Sequence, residues 1–219
     1  MENAPKPNTT LVSLTLSLRW QVGTAWYELE TVCGPGLFAV DGPAASALLR
    51  VLAGHAVPSV GTACLDNVSL LHGEANLHHI GAARPVATVL EGQSLPLWRS
   101  ARGLASGAIR AQGVRRRAAN ERADQVLRRL HADAWARRPL RNLGKQEQWL
   151  AQLGAALAII PGLLLLERVD AALSSPHRDM LFATLWQVTD ESETVVLLVP
   201  DSPIALTRTL SPQLVGATA

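Results

Sequence analysis

Two unbroken aliphatic runs, Leu163 to Leu166 and Val195 to Val199, constrain this chain more than any other feature. A strand with one wetted face alternates apolar and polar residues, whereas a run with no polar member has both faces covered, as in a parallel sheet. Helical spacing between the two runs, from about Ser175 to Val188, supplies cover and joins them by a right-handed crossover. Strand, helix and parallel strand predict an α/β layered domain. At 219 residues and 48 % hydrophobic, the chain is long enough to bury one well-packed core.

The rest of the chain carries other periods. Residues 11–32, LVSLTLSLRWQVGTAWYELETV, alternate apolar and polar side chains in two runs about Val22-Gly23-Thr24, which predicts a half-exposed antiparallel hairpin in an edge sheet. Leu37 to Val40 reads as a short buried strand, Asp41-Gly42-Pro43 as a turn, and Ala44 to Ala53 as a helix with Leu48, Leu49 and Leu52 inward. Ser59 to Leu71 and Ile80 to Val89 return to short strands and turns. Residues 93–160 read as helices with a basic exposed face. Within 121–135, for example, Ala123, Val126, Leu127 and Leu130 recur at helical spacing. The apolar stretch Leu153 to Leu166 is too short to span a bilayer and is interrupted at Pro161-Gly162, so it reads as a buried helix followed by a buried strand.

Net charge is only +2, but it is unevenly placed. From Arg99 to Arg141 twelve arginines face only Glu121, Asp124 and Asp133, leaving +9 there and −7 elsewhere. Such a face is either simply solvated or meets anionic lipid headgroups, RNA or an acidic partner. Aromatic residues are too sparse among these arginines for a nucleic-acid surface, so no nucleic-acid partner is expected. Cys33 and Cys64 form neither a disulfide framework nor a zinc pattern, and His72, His78 and His79 beside Glu74 read as a surface loop, so no metal site is expected. No nucleophile elbow of the GxSxG kind occurs. The opening MENAPKPNTT has no apolar core of signal type, which leads to the expectation of a cytoplasmic protein.

Three stretches carry a resemblance. GLFAVDGPAASALLRVLAG (36–54) has the order strand, glycine turn, helix on which phosphate loops are built, and it ends in LLRVLAG. GTACLDNVSL (61–70) follows as glycine, strand and aspartate turn. RRPLRNLGKQEQWLAQLGAALAIIPGLLLLERVDAAL (137–173) then runs from a signature-like segment through a helix and a proline into LLLLE. In these the chain resembles the nucleotide-binding subunit of an ATP-binding-cassette (ABC) transporter over nearly its whole length. The resemblance implies a P-loop NTPase-like fold with a mostly parallel central sheet, an antiparallel edge sheet and a helical lobe. One domain, 1–219, is expected: edge sheet and phosphate-loop core over 11–92, helical lobe over 93–150, and return to the core over 151–219.

Departures from that family's pattern are as informative as the match. Its phosphate loop, GxxGxGK[ST], uses glycines to bring backbone amides to the phosphates and a lysine to reach the terminal ones. Here GPAASA (42–47) is about three residues short, and the only lysines, Lys6 and Lys145, lie elsewhere. Gly42, Pro43 and Ser46 are what remains, with Ser46 nearest the magnesium-binding hydroxyl. Glu167 stands in place of the magnesium-binding aspartate, and Arg168 in place of the glutamate that polarises water. The signature becomes Leu143-Gly144-Lys145-Gln146, and Ser174 replaces the D-loop aspartate. No Q-loop glutamine is found near Arg84 and Pro85, and Pro200 or Asp201 falls where the switch histidine belongs. Read simply as residues of this chain, Glu167 and Arg168 end a strand, with Arg168 left to pair with Glu167 or another acid.

The resemblance with these losses implies a non-catalytic subunit without a cofactor. Such a subunit docks on a membrane permease or pairs with an active ABC ATPase as a heterodimer, and lies peripherally on the cytoplasmic side of the inner membrane. The family's permease groove points to Arg84, Trp98, Arg99 and Arg102, with Trp98 as anchor. Arg115, Arg116 and Arg117 offer a basic contact to a partner or to anionic lipid. Two alternatives stay open: an ATPase active only as a composite site with a partner, and a cytoplasmic adaptor on the same fold.

Overall fold

The computed structural model describes residues 12–58, 60–71, 84–168, 173–200 and 208–217. The chain begins with β1 (Leu14–Val22), β2 (Ala25–Cys33), β3 (Gly36–Val40) and α1 (Ala45–Leu52). Next come β4 (Val60–Leu65), β5 (Val68–Ser69), β6 (Val86–Val89), α2 (Ala101–Ala111), α3 (Arg116–Arg129) and α4 (Lys145–Ala158). The return is β7 (Leu163–Glu167), α5 (Ser175–Ser192), β8 (Val195–Val199), β9 (Thr209–Leu210) and β10 (Gln213–Ala217).

The strands form two sheets. One is antiparallel in the order β10-β2-β1-β4-β5; the other is parallel in the order β6-β7-β8-β3-β9. The predicted hairpin forms about Gly23-Thr24, pairing Val22 with Ala25 and Leu14 with Cys33. Alternation does the sorting: Leu14, Leu16, Leu18 and Trp20 are buried while the residues between them are exposed. Asp66 and Asn67, both at positive φ (53° and 64°), turn β4 into β5. These residue types tolerate that conformation. Cys33 lies opposite Leu14 and Cys64 opposite Thr15 on the other side of β1, so a whole strand separates the two free thiols.

The two aliphatic runs are β7 and β8, fully buried and parallel, with Leu163 opposite Val195. Their alternate residues serve two cores. Phe38, Val40, Leu163, Leu165, Val195 and Leu197 pack with α1 and the antiparallel sheet. Leu37, Leu164, Leu166, Val196 and Leu198 pack with Leu181 and Leu185 of α5 and the buried side of α4. α1 is thus held between the two sheets. In the helical region α3 crosses close to α4 at Gly154, where a Cβ would stand 2.9 Å from Leu127 Cδ2.

Four features differ in extent from the sequence reading. α3 begins at Arg116, ahead of the periodic segment, and α5 continues to Ser192 before Glu193 turns it at φ 50°. The chain after β8 adds β9 to the parallel sheet and β10 to the antiparallel one, two strands that the sequence pattern did not reveal. Among the described residues no helix is long and apolar enough to cross a membrane. His72, Glu74, His78, His79, Asp170 and Asp201 lie outside the described residues.

Candidate functional site

β3 delivers the chain to a turn of four residues, Asp41 to Ala44, before α1 begins. Asp41 N–H is taken by the Leu210 carbonyl (3.0 Å), and the Asp41 carboxylate accepts the Gly42 amide (2.7 Å). Gly42 needs its positive φ of 96° to turn here. A carboxylate bonded to the loop's own amide sets a negative charge at the start of the helix, which opposes an incoming anion. Pro43 has no amide hydrogen to offer, and Ser46 is half-buried in the first turn of α1. The helix N-cap is Ala44, which brings no side-chain cap.

Neighbouring strand ends carry an ion network. Glu167 closes β7 and is only 4 % exposed. A carboxylate there needs compensation, and receives it from the Glu91 amide at 3.0 Å and, more distantly, from Arg50 Nη2 at 3.8 Å. Arg168, the next residue, sits at φ 53° with its amide on the Val199 carbonyl. Its guanidinium Nη1 donates to both oxygens of Glu91 at 2.9 Å. The acid partner expected for Arg168 is therefore Glu91 rather than Glu167. Sequence reasoning missed Glu91 and Arg50, because no local spacing joins them to a strand that begins more than seventy residues later.

The loop carrying Glu91 also lines a cleft of 660 Å³. Its walls are the β6 end and residues 90–95 on one side and Leu104, Ala108, Gln152 and Ala156 of α2 and α4 on the other, with Arg50 and His55 at one edge. Gln93 in that loop bonds Thr88 Oγ1 at 2.7 Å. The polar loop at a strand end where a glutamine was sought thus lies at 90–93, whereas Arg84 and Pro85 precede β6 at its other end. The signature-like segment forms the start of α4: Gly144 is its N-cap, and Glu147 accepts the Gly144 amide at 2.9 Å.

The expected docking residues separate. Arg84 is bonded to the Ser192 carbonyl and to Glu193 at 3.3 Å, at the end of the parallel sheet away from Glu91, so it does not join the others. Trp98 is 70 % exposed on the loop that leaves the cleft, and Arg99 lies over its ring at 5.0 Å. Arg102 is held by Asp124 in a two-point pair of 2.6 and 2.9 Å. That guanidinium keeps the Asp124 carboxyl below the usual range, and the Asp124 partner raises Arg102. Arg115, Arg116 and Arg117 start α3 in solvent, with Arg117 paired to Glu121 at 3.1 Å. Among the described residues no group of three His, Cys, Asp or Glu is placed to hold a metal ion. Ser174, in the D-loop position, is the N-cap residue of α5, and its hydroxyl bonds His177 Nδ1 at 2.7 Å.

No protein-family model matches the sequence. The taurine import ATP-binding protein TauB of Pseudomonas fluorescens (strain Pf0-1) is 24 % identical over 196 residues, 90 % of this chain. This chain spans only 66 % of that relative's length. Among solved structures, a metal-chelate type ABC transporter in an inward-facing conformation superposes with a TM-score of 0.72 at 18 % identity, over 94 % of this chain and 83 % of that one. An ATP-binding cassette of an ABC transporter in its ADP conformation gives a TM-score of 0.66 at 14 % identity, over 88 % of this chain and 82 % of that one. Both are likenesses of fold.

Proposed function

We propose, from the premise that this chain is by fold an ABC nucleotide-binding domain, that it serves a transport complex as a non-catalytic subunit, docked on a membrane permease and paired with an active ATPase. The observation that carries this reading is the ion network at the strand ends. Magnesium-nucleotide turnover needs a loop of open amides, a lysine and carboxylates free to take the metal and polarise water. This chain offers a four-residue turn in which Asp41 holds the Gly42 amide, a Glu167 engaged by Glu91 and Arg50, and a cation at 168. Those residues do not fit the nucleotide and its metal.

Docking has a surface of the right kind. In the family that the chain resembles, a groove between the strand-end loop and the helical lobe receives a short permease helix. The 660 Å³ cleft lies between those elements, mixed apolar and polar, with exposed Trp98 nearby as an aromatic anchor. Attachment would be peripheral, on the cytoplasmic face, with Arg115, Arg116 and Arg117 facing the partner or anionic headgroups.

The test is affinity purification of the tagged chain from detergent-solubilised membranes. A polytopic protein and a lysine-containing ATPase should co-elute. Replacing Arg115, Arg116 and Arg117 with glutamate should reduce that recovery several-fold without unfolding the domain, since exposed substitutions change stability by only about 0.5 kcal/mol each. Recovery of the chain from the soluble fraction without either protein contradicts the docking role.

A further inference from the structure

A second cleft, of 350 Å³, lies between α2 and α3 and is lined by Arg99, Arg102, Arg110, Arg116 and Arg137. Among the described residues Arg102 alone of these five has an acid within 4 Å, namely Asp124. The remaining wall is Ser100, Gly103, Ser106, Gly107 and Asn120, with no acidic side chain. Holding guanidinium groups together around one hollow costs electrostatic energy that a bound anion would offset.

The cleft is built rather than incidental. Gly107 faces it: a Cβ there would stand 2.8 Å from Arg99 Nη1, so the missing side chain is what lets that guanidinium lie across α2. A Cβ on Gly103 would meet only Ser100 Oγ, at 3.2 Å, so neither glycine is demanded by helix packing. Arg99 is steadied by Trp98 beneath it and by the Leu140 amide on its carbonyl (2.8 Å). The segment carrying Arg137 is pinned by the Arg102 amide on the Ala136 carbonyl (2.8 Å). Ser100 Oγ accepts the Gly103 amide at 3.1 Å and keeps its own hydrogen to donate. Planar guanidinium forks over a floor without side chains match the geometry and charge of a phosphate group.

We propose that this cleft is a phosphate-binding site, separate from the degenerate nucleotide loop, which takes either a free phosphate compound or the phosphate of a lipid headgroup. The cleft shares Arg99, Arg102 and Arg116 with the docking residues named above, but holding an anion there needs neither a partner nor nucleotide turnover.

The full chain would be titrated calorimetrically with inorganic pyrophosphate and, in parallel, floated with vesicles of phosphatidylglycerol or of neutral phosphatidylcholine. Three variants decide between the outcomes: Gly107→Ala, which displaces Arg99 at constant net charge; Arg99→Gln with Arg137→Gln; and Arg141→Gln, an exposed control in the same basic segment but outside the cleft. Saturable binding that falls about tenfold in Gly107→Ala, about a hundredfold in the double variant and under twofold in the control upholds the site. Pyrophosphate binding identifies a soluble ligand, and binding confined to phosphatidylglycerol vesicles identifies a headgroup. Wild-type affinity in a double variant that retains its fold would overturn the site. So would an equal loss in Arg141→Gln, which means diffuse charge attraction, or no binding to either probe. Should Gly107→Ala lose its circular dichroism, the double arginine variant and the control decide without it.

Discussion

At the end of β7, Arg168 directs a cation to Glu91. Both oxygens are 2.9 Å away, yet the two side chains are 47 % and 55 % exposed. Solvent therefore leaves the pair only about 0.5 kcal/mol of stability. Arg168→Ala is expected to change the ATPase rate of the assembled complex by less than about twofold, whereas loss of a group acting on a transition state costs about a hundredfold. A loss of that size with assembly intact would place Arg168 in a partner's active site. Asp124 gives a pH prediction. The Arg102 hydrogen bond, chiefly, lowers its carboxyl pKa below the ordinary 3.8. A depressed folded pKa means that the contribution is present above the unfolded value and lost as pH falls through the lower folded one. Asp124→Asn should therefore cost about 1 kcal/mol at neutral pH and flatten the stability curve below about pH 4, as read by urea denaturation across that range. The need of Arg168 for an acid was legible in the sequence. Which acid was not, since Glu91 is 77 residues away and meets it only through parallel pairing of β6 and β7.

Elements were legible where burial dictates a pattern. The alternation of β1 and the unbroken runs of β7 and β8 follow directly from one covered face and two. β10 escaped notice because Leu214, 65 % exposed, and Val215 lie on an outer edge where no face requires apolar residues. The first turn of α3 escaped for a related reason: Ala119 is its only buried residue there, amid arginines. The pairing of β4 with β1 rests on one glycine. Gly61 holds φ 124°, and a Cβ there would collide with the Ser17 carbonyl oxygen on the neighbouring strand. Gly61→Ala should destabilise the domain by about 3 kcal/mol or more, measured by chemical denaturation, because both backbone and strand spacing must shift. A loss below about 1 kcal/mol would mean that β4 is not held at that register.

Over the whole molecule, the sequence carried the layered α/β fold and its family likeness, because three separated stretches repeat a family's order of elements and TM-scores of 0.72 and 0.66 bear that order out. It carried less of the site. Glu167 and Arg168 stood out in the sequence, but their closure with Arg50 and Glu91 into one network belongs to the fold. Segregation of charge, +9 over 99–141 against −7 elsewhere, was countable in advance. The concentration of five arginines around one hollow was not. The central claim is that these losses leave a domain with the cassette shape and no working nucleotide site. Calorimetric titration of the purified chain with magnesium-ATP tests it most directly. Binding at the strand ends no tighter than about millimolar, roughly −4 kcal/mol, is predicted, and any tighter binding is expected to be lost with Arg99→Gln and Arg137→Gln, at the arginine cleft, and kept in Glu167→Ala. A saturable micromolar dissociation constant that disappears on Glu167→Ala would contradict the claim, since it would mean that the strand ends still hold the nucleotide and its metal.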